Sequence, residues 1–320
     1  MPALVGGFGN YFLPVQVGAP DWKKLFNRCI VSYRMMTTLS SQSKLGPYLA
    51  GLWEGDGHIW IPKTTHAPSG KKYTPYFVIT FDENEYPLVL TLQLLIGGSI
   101  RHKKDNHAYT LSITSLGGLK KIIVLLNGFL RTPKLNQFNN LIDWINDATD
   151  SSFIKHDYDK SNILNNAWLS GFIEADGSFD IRVSLVETGA LKNRVSARLR
   201  LEQRMTDPLK GLSYENVLGL IAVGLRVTLG TTVHNANIKY YAISASSTNS
   251  RHVIVNYFCL FPLFSSKRLN YLDWLACHNL IVSGEHNIES GRKKALLLKE
   301  GMNNKRYYYN WDHLDQLKSY

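Results

Sequence analysis

Apolar residues recur along this chain at two periods, and the order in which the periods alternate is repeated. Leu45, Leu49, Leu52 and Trp53 fall at helical spacing, as do Leu164, Trp168, Phe172 and Ile173. Each run ends in an acid followed by glycine, Asp56-Gly57 and Asp176-Gly177, where the pattern predicts a helix stopping in a left-handed residue. Strand-like runs follow the first helix at Gly57–Thr64, Thr74–Phe81, Gly98–Lys103 and Ala108–Thr114. They follow the second at Gly177–Glu187, Asn193–Gln203, Gly230–His234 and Tyr240–Ala245. Helical patterns separate the strands (Glu85–Leu95, Tyr214–Arg226) and close each set (Leu116–Phe129, Ser247–Leu260). Each copy therefore reads αββαββα, an antiparallel sheet with helices on one face, which is an α+β layer architecture.

The repeat is also visible in the letters. LGPYLAGLWEGDGHIWI (Leu45–Ile61) returns as LNNAWLSGFIEADGSFDI (Leu164–Ile181), and two copies of one supersecondary unit imply a pseudo-twofold within one chain. The ends match too: Thr132-Pro133-Lys134-Leu135 corresponds to Ser265-Ser266-Lys267-Arg268. The predicted organisation is a leader over 1–21, an N-terminal extension over 22–44, a first domain over 45–148, a polar, acidic linker over 149–161, and a second domain over 162–320 with a basic C-terminal tail.

Two features of the repeated helix point to chemistry. Small residues recur every four positions, Gly51 and Gly55 in one copy and Ala167, Gly171 and Ala175 in the other, leaving a groove in which two helix backbones can approach. Glycine inside a helix costs ~1 kcal/mol relative to alanine, so it needs a reason. Each helix also ends in two acids, Glu54 and Asp56, then Glu174 and Asp176, against the partial negative charge of a helix C-terminus. A bound cation removes that penalty. Two carboxylates meeting there with free helix-end carbonyls make a hard oxygen site suited to magnesium. Magnesium between carboxylates and phosphate oxygens is a phosphodiester hydrolysis site. One copy alone would read equally well as solvated helix-end acids; two copies with matched flanks do not.

LAGLWEGDG (Leu49–Gly57) and LSGFIEADG (Leu169–Gly177) resemble the two signature motifs of the LAGLIDADG homing endonucleases, and the resemblance runs from Leu45 to Arg306. It implies the homing endonuclease fold: two pseudo-twofold αββαββα halves with antiparallel, saddle-shaped sheets and helices on the outer face. It implies Asp56 and Asp176 as metal-binding acids, main-chain carbonyls of Gly55 and Ala175 on the metal, and Glu54 and Glu174 as capping and packing residues. Two or three Mg2+ ions at the domain interface are implied, with Mn2+ or Ca2+ able to substitute in binding. Around the activated water the family places a basic residue, matched by Lys134 and Lys267, and a polar one, matched by Gln203. In the first copy that last position is Phe81, a departure implying unequal active sites, with one strand cut faster.

Charge agrees with a polyanionic partner: 36 Lys and Arg against 25 Asp and Glu, a net charge of +11. From Asn193 to Arg204 alternation is nearly strict, with Arg194, Ser196, Arg198 and Arg200 on one face and apolar residues on the other. Asp180, Arg182 and Ser184 continue that face on the preceding strand. The matching face of the first copy is His58, Trp60, Lys72, Thr74, Tyr76, Arg101 and Lys103. Arginine reads guanine edges in the major groove, and strands can enter it, so both faces are expected to bind double-stranded DNA. Two such sheets end to end reach about 60–70 Å, roughly twenty base pairs. Basic residues over Arg292–Arg306 are expected to add phosphate contacts. No apolar run reaches the ~20 residues of a membrane span, and three scattered cysteines with no CxxC pair argue against a cysteine zinc site.

The leader PALVGGFGNYFLPVQVGAPD (Pro2–Asp21) resembles cytochrome c oxidase subunit 1 and is expected to be unstructured or removed. Many family members are encoded in introns of that mitochondrial gene, read in frame with the upstream exon. The resemblance thus implies a monomeric enzyme encoded in the organelle genome, acting in the mitochondrial matrix. Its target would be the intron-free junction just after the codons for Gly18–Asp21. The alternatives are an intron maturase that binds its own intron RNA, alone or as a second activity, and a DNA-binding protein with dead nuclease sites.

Overall fold

The first motif helix, α1 (Leu45–Asp56), runs straight into β1 (Gly57–Trp60), and the rest of the first half is built outward from that junction. The structure, a computed structural model, describes residues 44–64, 70, 73–184, 194–234 and 238–320. The leader, the extension up to residue 43, Lys72, and the predicted strand ends past Ser184 and at Asn193 lie outside the described residues. After β1 come β2 (Tyr76–Asp82), α2 (Tyr86–Ile96), β3 (Ser99–Lys103), β4 (Ala108–Ile113), α3 (Leu116–Leu126) and α4 (Leu135–Ala148). The second half repeats the order: α5 (Trp168–Asp176), β5 (Gly177–Ser184), β6 (Arg194–Arg204), α6 (Glu215–Gly224), β7 (Gly230–Val233), β8 (Lys239–Ala245), α7 (Thr248–Leu260) and α8 (Lys267–Val282). A further helix, α9 (Glu289–Glu300), follows. Helices α4 and α8 extend each half beyond the expected αββαββα.

Both sheets are antiparallel and four-stranded, in the orders β1-β2-β4-β3 and β5-β6-β8-β7. Alternation sets the faces. On β6, Val195, Ala197, Leu199 and Leu201 are buried, while the arginines between them stay partly or fully exposed. Helices α2 and α4 pack on the first sheet, α6 and α8 on the second. Trp53, Phe77 and Phe138 are fully buried in one half, Phe172, Phe179 and Trp274 in the other. β1 stops at Trp60, short of the predicted Thr64, because Pro62 offers no N–H to the ladder. Ser115 and Ser247 cap α3 and α7, accepting from Gly118 N and Ser250 N at 3.2 Å each.

The linker is docked. Arg131 donates to the Asp159 carboxylate, to the Ser161 carbonyl at 2.8 Å and to the Ser161 hydroxyl at 2.7 Å. The tail is no loose basic arm either. Arg306 is bound to Asp273, a half-buried carboxylate that needs a cation, so it is not free for phosphate as expected. A 3-10 segment (Asp312–Ser319) packs on α2, and the Tyr320 carbonyl accepts from Lys44 N at 2.9 Å, returning the chain to the first half.

Candidate active site

Helices α1 and α5 cross with their backbones touching, and the small residues are what permits it. A Cβ on Gly51 would fall on the Trp168 carbonyl and lie 2.8 Å from Phe172 N. One on Gly171 would fall on the Tyr48 carbonyl and lie 2.6 Å from Leu52 N. Near the C-terminal ends, a Cβ on Gly55 would strike that of Ala175 and stand 3.4 Å from Asp176 Oδ2. Asp56 and Asp176 therefore come to the same end of the seam, near enough for the Asp56 charge to act on Asp176. Gly57 and Gly177 are not left-handed, as the pattern suggested. Their φ values are −104° and −85°, because the chain passes directly from helix to extended strand. They are glycine because a Cβ would come 2.6 Å from the Trp53 carbonyl at one and 2.8 Å from the Ile173 carbonyl at the other.

Glu54 and Glu174 lock the crossing. The Glu54 carboxylate accepts from Arg131 N and Thr132 N of its own half, at 3.0 and 2.6 Å, and from Trp168 Nε1 of the opposite helix at 2.6 Å. Glu174 does the mirror task, accepting from Phe264 N, from Ser265 N at 2.8 Å, and from the Tyr48 hydroxyl across the seam. Burial raises both carboxyls to about 7, against the lowering effect of these hydrogen bonds. Of the cross-seam donors, Trp168 reads in sequence only as an apolar helix position and Tyr48 is not singled out. Their amphipathic tips, opposite a buried acid, are the signal that could have marked them.

The expected active-site groups converge on the helix ends. Lys134 Nζ donates to the carbonyls of Gly55 and Gly57, both at 2.8 Å, and Lys267 Nζ to that of Ala175 at 2.7 Å. The carbonyls expected to face a metal thus already attract positive charge, as helix C-termini should. Gln203 Nε2 lies 3.4 Å from Asp176 Oδ2. Phe81, at the corresponding place in the first half, is buried and offers no polar atom. Burial first and the Asp56 charge second raise Asp176 to about 6, against the pull of Lys134 and Lys267. Asp56 reaches solvent, yet the surrounding protein still pushes its carboxyl up, opposed by Lys267 and then Lys134. Burial lowers both lysines, and both aspartates raise them.

This donor set fits a hard divalent cation: two carboxylates close enough to repel, with main-chain oxygens beside them. Among the described residues no group of three or more His, Cys, Asp or Glu side chains could hold a metal. An ion here would therefore complete its shell with Gly55 or Ala175 carbonyls, water and phosphate. A cleft of 640 Å3 opens beside Asp56, lined also by Phe81, Glu85, Ala175, Lys267 and Asn304. Glu85, read from the sequence only as the start of a helix, is buried in its wall.

Those of the expected DNA residues that fall within the strands lie on the faces turned away from the helices. Pairing of Asp180 with Arg198, Arg182 with Ser196 and Ser184 with Arg194 brings them all to one face. Asp180 is committed there: it forms an ion pair with Arg198 and lies 3.7 Å from Arg182, and Arg200 pairs with Glu202 at 2.7 Å. These contacts offset part of the positive charge on that face, and leave Arg182 and Arg194 exposed. In the first half, His58, Trp60, Tyr76, Arg101 and Lys103 share one exposed face, with Thr74 half-buried just before β2. Trp60 stacks on Tyr76, ring centroids 4.9 Å apart.

The family model of the LAGLIDADG endonucleases matches residues 49–145 and 169–278. The intron-encoded DNA endonuclease aI3 of Saccharomyces cerevisiae is 28% identical over 98% of this chain and 81% of its own length. An uncharacterised cox1 intron-2 protein of Schizosaccharomyces pombe is 31% identical over 79% of this chain and 71% of its own. Among solved structures, the I-LtrWI LAGLIDADG homing endonuclease bound to target DNA matches with a TM-score of 0.62 at 16% identity, covering 82% of this chain and 99% of that one.

Proposed function

Because this chain belongs to the LAGLIDADG endonuclease family, we propose that it is a monomeric, site-specific double-strand DNA endonuclease. Its proposed target is the intron-free junction in the mitochondrial cytochrome c oxidase subunit 1 gene, and it acts in the mitochondrial matrix. The observation that carries the reading is the pair Asp56 and Asp176, held at the same end of the helix crossing and flanked by Lys134 and Lys267. Keeping two carboxylates together costs stability, and a nuclease gains from it by gathering cations at the scissile phosphates.

Asp56 and Asp176, with the carbonyls of Gly55 and Ala175, would hold two or three Mg2+ ions; Mn2+ or Ca2+ could substitute in binding. Bound magnesium supplies an activated water and steadies the leaving oxygen. Lys134 and Lys267, which rest on the helix-end carbonyls, would supply positive charge to the scissile phosphates. Gln203 orients the water at the Asp176 centre. The Asp56 centre, with Phe81 in that place, lacks this help and cuts its strand more slowly.

The two sheet faces lie along the duplex, with Arg182, Arg194, Arg198 and Arg200 toward one half-site and His58, Trp60, Tyr76, Arg101 and Lys103 toward the other. The faces differ, so the site is asymmetric. The likeness of Pro2–Asp21 to the oxidase subunit supports the target. The alternative, a splicing cofactor for the intron RNA, needs neither carboxylate, so the retained pair favours cutting. A duplex of the joined exons, incubated with purified protein and magnesium, should be cut in both strands, and Asp56→Asn and Asp176→Asn should abolish this. Cutting elsewhere but not at the junction rejects the target; no cutting of any DNA by wild type rejects the nuclease reading.

A further inference from the structure

The turns that deliver the two active-site lysines share a pattern of hydrogen bonds and differ in one respect that bears on it, the residue just before the lysine. Arg131 N and Thr132 N donate to Glu54 in the first half, and Phe264 N and Ser265 N donate to Glu174 in the second. The Thr132 and Ser265 hydroxyls accept from the amides of Lys134 and Lys267, at 3.3 and 3.2 Å. Between these groups stands Pro133 in one turn and Ser266 in the other. Proline has no N–H to satisfy and fixes its own φ. Ser266 has both freedoms, and its amide needs an acceptor.

That acceptor is Glu85, which crosses from the first half. Both its oxygens lie 3.0 Å from Ser266 N, and the residue is 8% exposed. Setting Phe81 against Gln203 puts Glu85 opposite Asp207. Asp207 is also buried, but it accepts from Leu209 N and Lys210 N of its own loop, at 3.2 and 2.8 Å. The shorter carboxylate goes with the proline, and the longer one with the serine whose amide must be held.

We propose that Glu85 is a positioning residue for Lys267: a clamp from the opposite half that does for the Ser266 turn what proline does before Lys134. Its loss frees that turn and lets Lys267 leave the Ala175 carbonyl, while Lys134 is untouched. The effect on cutting rests on the nuclease reading above; the effect on Lys267 does not. The φ of Ser266 is −55°, within the range proline adopts, so Ser266→Pro transplants the first half's solution.

The test is acylation of the DNA-free protein with an amine-reactive reagent, read at each lysine by mass spectrometry, alongside strand-resolved cleavage of the junction duplex. Glu85→Ala should speed acylation of Lys267 roughly tenfold, as for one lost buried charge-assisted hydrogen bond, and leave Lys134 unchanged. Glu85→Gln, which keeps an acceptor, should stay near wild type, and Ser266→Pro added to Glu85→Ala should restore protection. In cleavage, Glu85→Ala should slow one strand only, the same strand that Lys267→Ala slows, and Glu85→Ala combined with Lys267→Ala should be no slower than Lys267→Ala alone. Unchanged Lys267 acylation in Glu85→Ala overturns the proposal, as does equal acceleration at both lysines. If Glu85→Ala does not fold, the proposal stands only if Glu85→Ala with Ser266→Pro folds and protects Lys267, and falls otherwise. Should wild type cut no DNA while Lys267 responds as stated, the nuclease reading fails and the clamp stands.

Discussion

Alanine in place of Gly171 should destabilise the protein, although the same change in an ordinary helix does the opposite. Removing glycine from a helix interior is worth ~1 kcal/mol. Against this, the new Cβ would overlap the Tyr48 carbonyl and sit 2.6 Å from Leu52 N. Both obstacles are backbone, so no side chain can swing aside, and the helices must part. Overpacking of this kind costs about 3 kcal/mol, the upper end for inserted methyl groups. The net loss is then ~2 kcal/mol, or a Tm drop of roughly 4–8 °C for a chain of this size. Gly219, inside α6, has no atom within 4 Å of a built Cβ and serves as the matched control. Gly219→Ala should stabilise by up to ~1 kcal/mol. Urea and thermal unfolding of the two variants should therefore move in opposite directions. If Gly171→Ala is neutral or stabilising, the close approach of α1 and α5 is not what fixes the site. Cleavage adds a second readout, since parting the helices also separates Asp56 from Asp176.

Other outcomes follow from the same geometry. Asp176 has a carboxyl raised to about 6 in the folded protein. Its contribution to metal-free stability is thus full below the ordinary aspartate pKa of ~4 and is lost as pH rises through 6. The Tm of wild type relative to Asp176→Asn, in chelator, should fall across that window, and magnesium should flatten the fall; a rise would refute the assignment. Gln203→Ala should slow one strand by about 10²-fold with binding unchanged, because it orients a group without carrying affinity. Strand-resolved single-turnover kinetics separate this from a general loss. Arg194→Ala, removing an exposed arginine whose cross-strand partner is Ser184, should weaken DNA binding by ~1–3 kcal/mol if Arg194 reads a base, with the loss confined to certain base pairs. A uniform loss across sequences, with a salt slope shallower by about one unit, would make it a phosphate contact instead.

Much of this molecule is written locally. Periods of apolar residues located the helices and strands to within a few positions, because burying one face of an element is a property of its own stretch of chain. Duplication of the Gly-x-x-x-small helix with its terminal acids, and of the lysine turns, was enough to find both halves and the groups that meet between them. What the letters could not carry is which distant groups answer one another. The Tyr48 hydroxyl finds Glu174 across 126 positions, Trp168 finds Glu54 across 114, and Glu85 finds Ser266 across 181. Asp180 gave no sign in sequence that Arg198 would claim it, nor Arg306 that it belonged to Asp273. Gly57 and Gly177 looked like left-handed stops and are extended, since what forbids a side chain there is a carbonyl one turn back in the helix. Across the seam a buried charge or amide must be satisfied by whatever packing brings near, and that packing is decided only when the two halves close on each other.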